Sequence, residues 1–492
     1  MNFPVLSAIL LCPVVALVVV MLLPGRMKQL IRLVCAASAL AALALSALAW
    51  DAYDSAVGGH QLVELVEWIP SAGISHHMGV DGFGIALTML NSIVFLTGVL
   101  TMWDLQERVK EYFAFMLLLV VGVYGVFLTL DLFFFFFYYE IAVVPMYPLI
   151  LVWGSSRKEY AAMKLMLFLL VGSALLFPAL LAIYHEAGLN SFSIPALMEH
   201  ALDRDFQLLV YPFVYCGFGV LAGMFPFHTW SPTGHVAAPS AVSKLHAGVL
   251  MKLGAFGVLA VGIRLLPEGA VHWAPLFAGF AAVGVVYGAF VAMRQTDFKF
   301  VIGFSSVSHM GIVLLGLNLG ALGVASADAF NGAAFQMFAH GIMTALFFST
   351  VGFIYDRAHS KTIADFGGLG SQMPRAVSFF IVAGLCGAGL PGLASFWAEL
   401  LVFLAAMKTY PLIGAAIVAG LVLTALYILR VFEQAFFGPR NPKWEHLADM
   451  KGWQLLPRAI LVAVLVFFGF FPRVMLDLLA PATDLLSAGF AR

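Results

Sequence analysis

The chain has 492 residues, 62% of them hydrophobic and 10% charged, where an ordinary soluble domain carries roughly 25% charged residues. So little polar side chain cannot coat the molecule, and lipid has to be its outer solvent. A formal net charge of −1 offers no basic field for nucleic acid.

The N-terminus is apolar from Phe3 and lacks a basic lead, so it is expected to be a retained first span rather than a signal peptide. Apolar runs of about 20 residues cross the hydrocarbon as helix. Such runs lie near 4–24, 30–50, 80–103, 110–128, 129–153, 158–186 and 206–227. Others lie near 239–266, 272–293, 297–318, 328–355, 375–407, 411–437 and 455–478. The expected fold class is all-α integral membrane, with about fourteen transmembrane helices. The loops that would face inward hold Arg26, Lys28, Arg32, Arg108, Lys110, Arg157, Lys158, Arg294 and Lys299, followed by Arg357, Lys361, Arg375, Arg440, Lys443, Lys451 and Arg458. Outward loops hold only Arg204, Arg264, Lys408, Arg473 and Arg492. This bias predicts both termini on the outer side. Cys12, Cys35, Cys216 and Cys386 sit in apolar runs without metal or disulfide spacing.

Two spans are interrupted. One reads Gly223-Met224-Phe225-Pro226-Phe227-His228-Thr229-Trp230 and the other Gly389-Leu390-Pro391-Gly392-Leu393. Proline removes a backbone donor and clashes with the preceding turn, so each helix must break there. Two breaks five spans apart fit an inverted-repeat transporter, with spans 4–8 and 9–13 as the repeats. The expected divisions are 1–103 (three helices), 104–268 and 269–440 (the repeats), and 441–492 (helix 14).

An ionisable side chain at the bilayer centre costs about 2.5–3.5 kcal/mol on insertion scales, so each needs a reason. Glu140 follows the aromatic run Phe133 to Tyr139 and has no local solvent. It is read either as a group that exchanges protons or as a structural carboxylate bonded to a neighbouring helix. Lys252 lies at the middle of span eight among small residues that let helices approach. Lys244, eight residues earlier, either snorkels to the inner end or belongs to the same path. A lone buried histidine is more often a satisfied core residue, but His309 and His340 fall on adjacent spans, with hydroxyls beside the first, and together suggest a hydrated relay. Glu399 follows the second break. His228 at the first break, Lys164 and His246 are weaker candidates. The predicted mechanism is a mid-membrane chain of titratable groups joined by water.

Nothing in the sequence supplies the driving energy: there is no phosphate-binding loop, dinucleotide fingerprint or iron–sulfur cysteine set, so neither a cofactor nor a redox site is expected. His76-His77 lacks a third ligand nearby, and no metal site is expected.

At this point the motifs resemble, over essentially the whole chain, the antiporter-like subunit M family of proton-pumping NADH:quinone oxidoreductase, respiratory complex I (subunit 4 in mitochondria). They are Gly79-Val80-Asp81-Gly82, Tyr139-Glu140, Phe225 to Trp230, His235-Val236-Ala237-Ala238-Pro239, Ala247 to Lys252, Ser305 to Gly311, and Gly389 to Gly392 with Ala398-Glu399. The resemblance implies fourteen helices in two inverted five-helix repeats, and a relay from Lys252 to Glu399. It also implies neighbouring antiporter-like subunits as partners, and the bacterial inner (cytoplasmic) membrane as location. The long lateral helix of the sister subunit L is not expected. One departure stands out: the family's span-seven lysine, partner of the span-five glutamate, falls here on Leu221. Lys244 is one candidate to replace it opposite Glu140. Other readings are a subunit of a cation/proton antiporter, of a hydrogenase-linked or carbon-uptake complex, or a non-conducting scaffold.

Overall fold

A computed structural model describes residues 3–155 and 157–490. Thirteen helices among them are long and apolar enough to cross a membrane. In chain order they are Val5–Leu22 (span 1), Lys28–Ala52 (2), Gly82–Thr101 (3), Val109–Leu128 (4), Leu132–Trp153 (5), Lys158–Ala187 (6) and Arg204–Ala222 (7). Ser240–Ile263 (8), Pro267–Arg294 (9), Phe298–Ala321 (10), Ser326–Ala358 (11), Pro411–Phe436 (13) and Gly452–Phe470 (14) follow. Span 12 is two shorter helices, Pro374–Gly387 and Ala394–Thr409. The fourteen expected spans are therefore present. Arg492, assigned to the outer side from sequence, lies outside the described residues.

Spans 8 and 11 are the centre of the bundle. Their most apolar stretches are completely buried, whereas those of spans 2, 13 and 14 are one-third buried and turn mostly outward from the bundle. A polar side chain on span 8 or 11 therefore meets protein rather than hydrocarbon.

The two repeats are visible in equivalent backbone hydrogen bonds. Leu132 N donates to Phe192 O and Ile194 N to Leu130 O, both at 2.8 Å. In the second repeat Phe298 N donates to Lys361 O at 3.0 Å and Ile363 N to Thr296 O at 2.8 Å. Span 5 is capped by the Asp131 side chain on the amides of Phe133 and Phe134, and span 10 by Asp297 on those of Lys299 and Phe300. The breaks match as well. Gly223 (φ 76°) and Gly389 (φ 69°) take the left-handed conformation that ends a helix. Beyond them, Met224 N reaches back to Gly219 O at 2.9 Å and Leu390 N to Leu385 O at 3.0 Å. Each repeat holds five spans, an odd number, so equivalent spans cross in opposite directions and the repeats are inverted.

The structure adds features that span-finding passed over. Span 5 is not one rod: it bends between Leu132–Val143 and Met146–Trp153, where Pro145 has no amide to donate. Span 7 stops at Ala222 rather than near 227, and a short helix, Trp230–Ala237, resumes after the break. The loop after span 2 is an antiparallel hairpin of β1 (Gln61–Ile69) and β2 (Ile74–Val80). Beyond span 14, Arg473–Ala488 forms a further helix that buries Met475, Leu478, Leu479 and Ala482, one face at helical spacing.

Candidate functional site: a buried chain of titratable side chains

Lys252 sits on span 8 just past a widened, π-helical turn over His246–Leu250. Such a turn displaces carbonyls from the regular ladder. The Lys252 ammonium donates to one of them, Ala247 O, five residues back. The same Nζ lies 2.6 Å from Nδ1 of His340, on the facing span 11. Both side chains are fully buried.

From His340 the chain continues to span 10. The imidazole rings of His340 and His309 have centroids 5.4 Å apart. His309 Nδ1 lies 3.1 Å from Oε1 of Glu399, on the second half of span 12. Gln336 brings its Nε2 to 3.0 Å from the same oxygen and 3.2 Å from His309 Nδ1. A ring nitrogen that donates to a carboxylate cannot also accept, so Nδ1 and the Gln336 amide both donate to Oε1. Gln336 and His340 are one helical turn apart and share a face of span 11. That spacing was readable in the sequence, yet sequence reasoning did not single out Gln336.

The break in span 12 makes room for this pair. A Cβ at Gly389 would come 2.8 Å from Glu399 Oε2, and one at Gly387 3.6 Å from His309 Nε2. Among the described residues, these two atoms and His340 Nε2 are buried without a hydrogen-bond partner. The arrangement joins an ammonium, two imidazoles and a carboxylate in one buried row, with free proton-accepting positions at its far end.

The other predicted residues are not drawn into this row. Glu140 is half-buried and accepts from the Ser173 hydroxyl of span 6. Among the described residues it has no ion-pair partner, and Leu221 is buried apolar core. Lys244 neither snorkels nor faces Glu140. It is fully buried and donates to Thr97 O at 3.1 Å and Thr101 Oγ1 at 3.0 Å, both on span 3. Lys164, half-buried, reaches Thr233 Oγ1 at 3.3 Å, and His228 packs between Phe225 and Tyr287. Of the hydroxyls near His309, Ser306 donates to Ile302 O and Ser308 to Val285 O, so these two do not line a path. A helical hydroxyl within reach of a carbonyl spends its proton there.

At the other end of span 8, Asp81 of the Gly-Val-Asp-Gly motif forms a buried ion pair with Arg264, and His60 Nε2 lies 3.4 Å from the same guanidinium. His76 and His77 diverge, the first towards Ser7 and the second towards Ser193.

Residues 129–425 match the family described as NADH:quinone oxidoreductase/Mrp antiporter, TM. The chain is 36% identical to NAD(P)H-quinone oxidoreductase chain 4 3 of Picosynechococcus sp., over 89% of this chain and 80% of that one. It is 34% identical to NAD(P)H-quinone oxidoreductase chain 4 1 of Synechococcus elongatus, over 99% of this chain and 92% of that one. Among solved structures, a chain of respiratory complex I from Thermus thermophilus with bound NADH superposes with a TM-score of 0.90 at 25% identity, covering 99% of this chain and 100% of that one. A chain of the Mrp complex from Dietzia sp. shares the fold, with a TM-score of 0.87 at 20% identity over 100% of this chain and 99% of that one.

Proposed function

The chain belongs to the NADH:quinone oxidoreductase/Mrp antiporter family, and from that premise we propose that its buried row of side chains carries protons for a respiratory quinone oxidoreductase. It is a multi-pass, antiporter-like membrane subunit, and its partners are other membrane subunits of a multisubunit complex. The observation that carries the relay assignment is the succession Lys252, His340, His309, Glu399 across spans 8, 11, 10 and 12. Each member takes up or releases a proton without leaving its place. A charge moved across 100 mV costs about 2.3 kcal/mol, so the driver is redox chemistry in other subunits.

Glu140 and Ser173 form the inlet of the first repeat in this reading, with Lys164 and His228 around the first break as its continuation. The neighbours on either flank are further antiporter-like subunits. Both termini face outward across a bacterial inner membrane, following the basic-residue bias of the loops. Divisions near 103/104, 268/269 and 440/441 separate the N-terminal helices, the two repeats and the C-terminal segment.

The test is Lys252→Met in the assembled complex, which keeps the stem and removes the proton. Proton translocation should fall at least tenfold at equal assembly. Translocation at the normal rate would sink the relay and favour a scaffold role.

A further inference from the structure

At the end of the bundle where spans 3 and 11 finish and span 14 begins, there is a cavity of about 310 Å³ that no side chain of the row lines. Two guanidiniums approach one of its wall residues, Phe353 of span 11. That of Arg357 lies 3.5 Å from the ring centroid, and that of Arg458, from span 14, lies 5.2 Å from it. Both arginines line the cavity, and Arg458 is only 4% exposed. The terminal nitrogens of Arg458 donate to Gln454 O at 2.6 Å and to Ser349 O. Its Nε is buried with no hydrogen-bond partner among the described residues. Arg357 makes only long contacts, 3.5 Å to Phe353 O and 3.5 Å to Gln454 Oε1. Neither arginine forms an ion pair among the described residues.

Like charges gathered on one ring repel, and a buried donor without an acceptor is costly. Carbonyls do not neutralise a guanidinium. A phosphate does, because the planar fork of arginine matches its oxygens. The cavity's carboxylates stand elsewhere: Asp104, just after span 3, and Asp356, near the end of span 11, line the same space but are exposed. Asp356 lies within electrostatic reach of both arginines and pairs with neither. Charge therefore runs from positive at depth to negative at the rim. A simple anion would meet those carboxylates as like charges. A phosphate followed two carbons later by a primary ammonium satisfies both ends, accepting from the arginines and donating to the aspartates. Trp453, 41% exposed, also lines the cavity, with its ring centroid 6.4 Å from that of Trp103. Tryptophan gathers at the depth of lipid headgroups. Beside it, span 14 turns mostly outward and exposes Leu456, a surface suited to acyl chains.

We propose that this cavity is a phosphatidylethanolamine site. Arg458 and Arg357 hold the phosphate, Asp104 and Asp356 hold the ammonium, and the acyl chains lie along span 14. The volume falls at the lower end of the range for small-molecule pockets, which suits a headgroup without its chains. The quaternary ammonium of a choline lipid has no N–H to give the carboxylates, and a glycerol headgroup carries no cation at all, so both bind more weakly. Bound there, the headgroup ties the peripheral span 14 to spans 3 and 11. The site is independent of the relay reading, since none of its residues belongs to the row.

The experiment places the assembled complex in phosphatidylcholine vesicles with a trace of photoreactive lipid. The same diazirine-bearing acyl chain is carried on an ethanolamine, a choline or a glycerol headgroup, and labelled peptides are mapped by mass spectrometry. The ethanolamine probe should label residues 452–470 at least fivefold more than either of the others. Arg458→Met should remove that excess at equal assembly. Asp104→Asn combined with Asp356→Asn alters only exposed side chains, so it decides the matter even where Arg458→Met does not assemble; it should erase the preference for ethanolamine over glycerol. Soluble O-phosphoethanolamine should displace the probe, and inorganic phosphate should do so far less. Equal labelling by all three probes, or an excess that survives in the double variant, overturns the site and leaves only unselective boundary lipid. Displacement by inorganic phosphate as effective as that by O-phosphoethanolamine overturns the lipid and marks a site for free phosphate.

Discussion

Gln336 donates from Nε2 to Oε1 of Glu399 at 3.0 Å, on the same oxygen that His309 approaches at 3.1 Å. Among the described residues, one carboxylate oxygen thus has two donors while the other, Oε2, has none. The asymmetry divides labour: Oε1 is held in place, and Oε2 is where a proton arrives or leaves. Glu399→Gln should therefore keep the shape of the site and abolish at least nine-tenths of proton translocation. Gln336→Leu should act through Glu399 rather than replace it. Oε1 then keeps His309 as its remaining donor, so a several-fold loss, smaller than that of Glu399→Gln, is expected. Translocation assays on equal amounts of assembled complex check both. A Gln336→Leu effect as severe as that of Glu399→Gln would mean that Gln336 is itself a member of the row.

The break in span 12 makes a separable prediction. Gly389 and Gly392 both have positive φ, 69° and 94°, so alanine at either costs roughly 1–2 kcal/mol of backbone strain. Only Gly389 faces the carboxylate, its built Cβ falling 2.8 Å from Oε2; at Gly392 the nearest atom, on Phe470, is 3.6 Å away. Gly389→Ala should thus impair translocation well beyond Gly392→Ala at similar thermal stability. Equal effects would show that the break needs only its conformation and not the space beside Oε2.

Much of this was readable beforehand, for physical reasons. The spans were legible because lipid demands long apolar helices, and the breaks because proline cannot donate. The buried row was legible as residue types, since Lys252, His309, His340 and Glu399 are too costly in a membrane to be incidental. Their connection was not. It depends on which faces of four different spans meet, and on a widened turn at His246 with no simple residue signature. Gln336 was missed because a neutral amide carries no such cost, although its spacing from His340 marked it. That Lys244 gives its hydrogen bonds to span 3 was not legible either, because a lysine at an unexpected position does not say which neighbour a central helix presents to it.

Lys244 offers a test of that last point. Its side chain is fully buried, no carboxylate among the described residues pairs with it, and a carbonyl and a hydroxyl of span 3 accept its hydrogen bonds. A buried unpaired charge is a burden that an apolar side chain of similar length relieves. Lys244→Met should accordingly retain translocation within about twofold at equal assembly. Loss of translocation comparable with that of Lys252→Met would place Lys244 in the path after all.

The ion pair at the end of span 8 remote from Lys244 bears on a different property, the response to acid. Burial, then the Arg264 guanidinium, push the His60 imidazole down to about 4, with Asp81 opposing and His77 adding a little. For Asp81, burial alone would raise the carboxyl, but Arg264 and His60 hold it below its usual value. His60 therefore binds its proton more readily in the unfolded chain, where its value is about 6.5. Its contribution is fully present above that pH and is lost as pH falls from about 6.5 towards 4. Asp81, also depressed in the fold, keeps its contribution until pH drops below about 4. The thermal midpoint of the assembled complex should decline across the window from 6.5 to 4. His60→Asn, which cannot take up a proton there, should flatten that decline while Asp81 and Arg264 remain paired. An unchanged slope in the variant would assign the acid sensitivity to other groups.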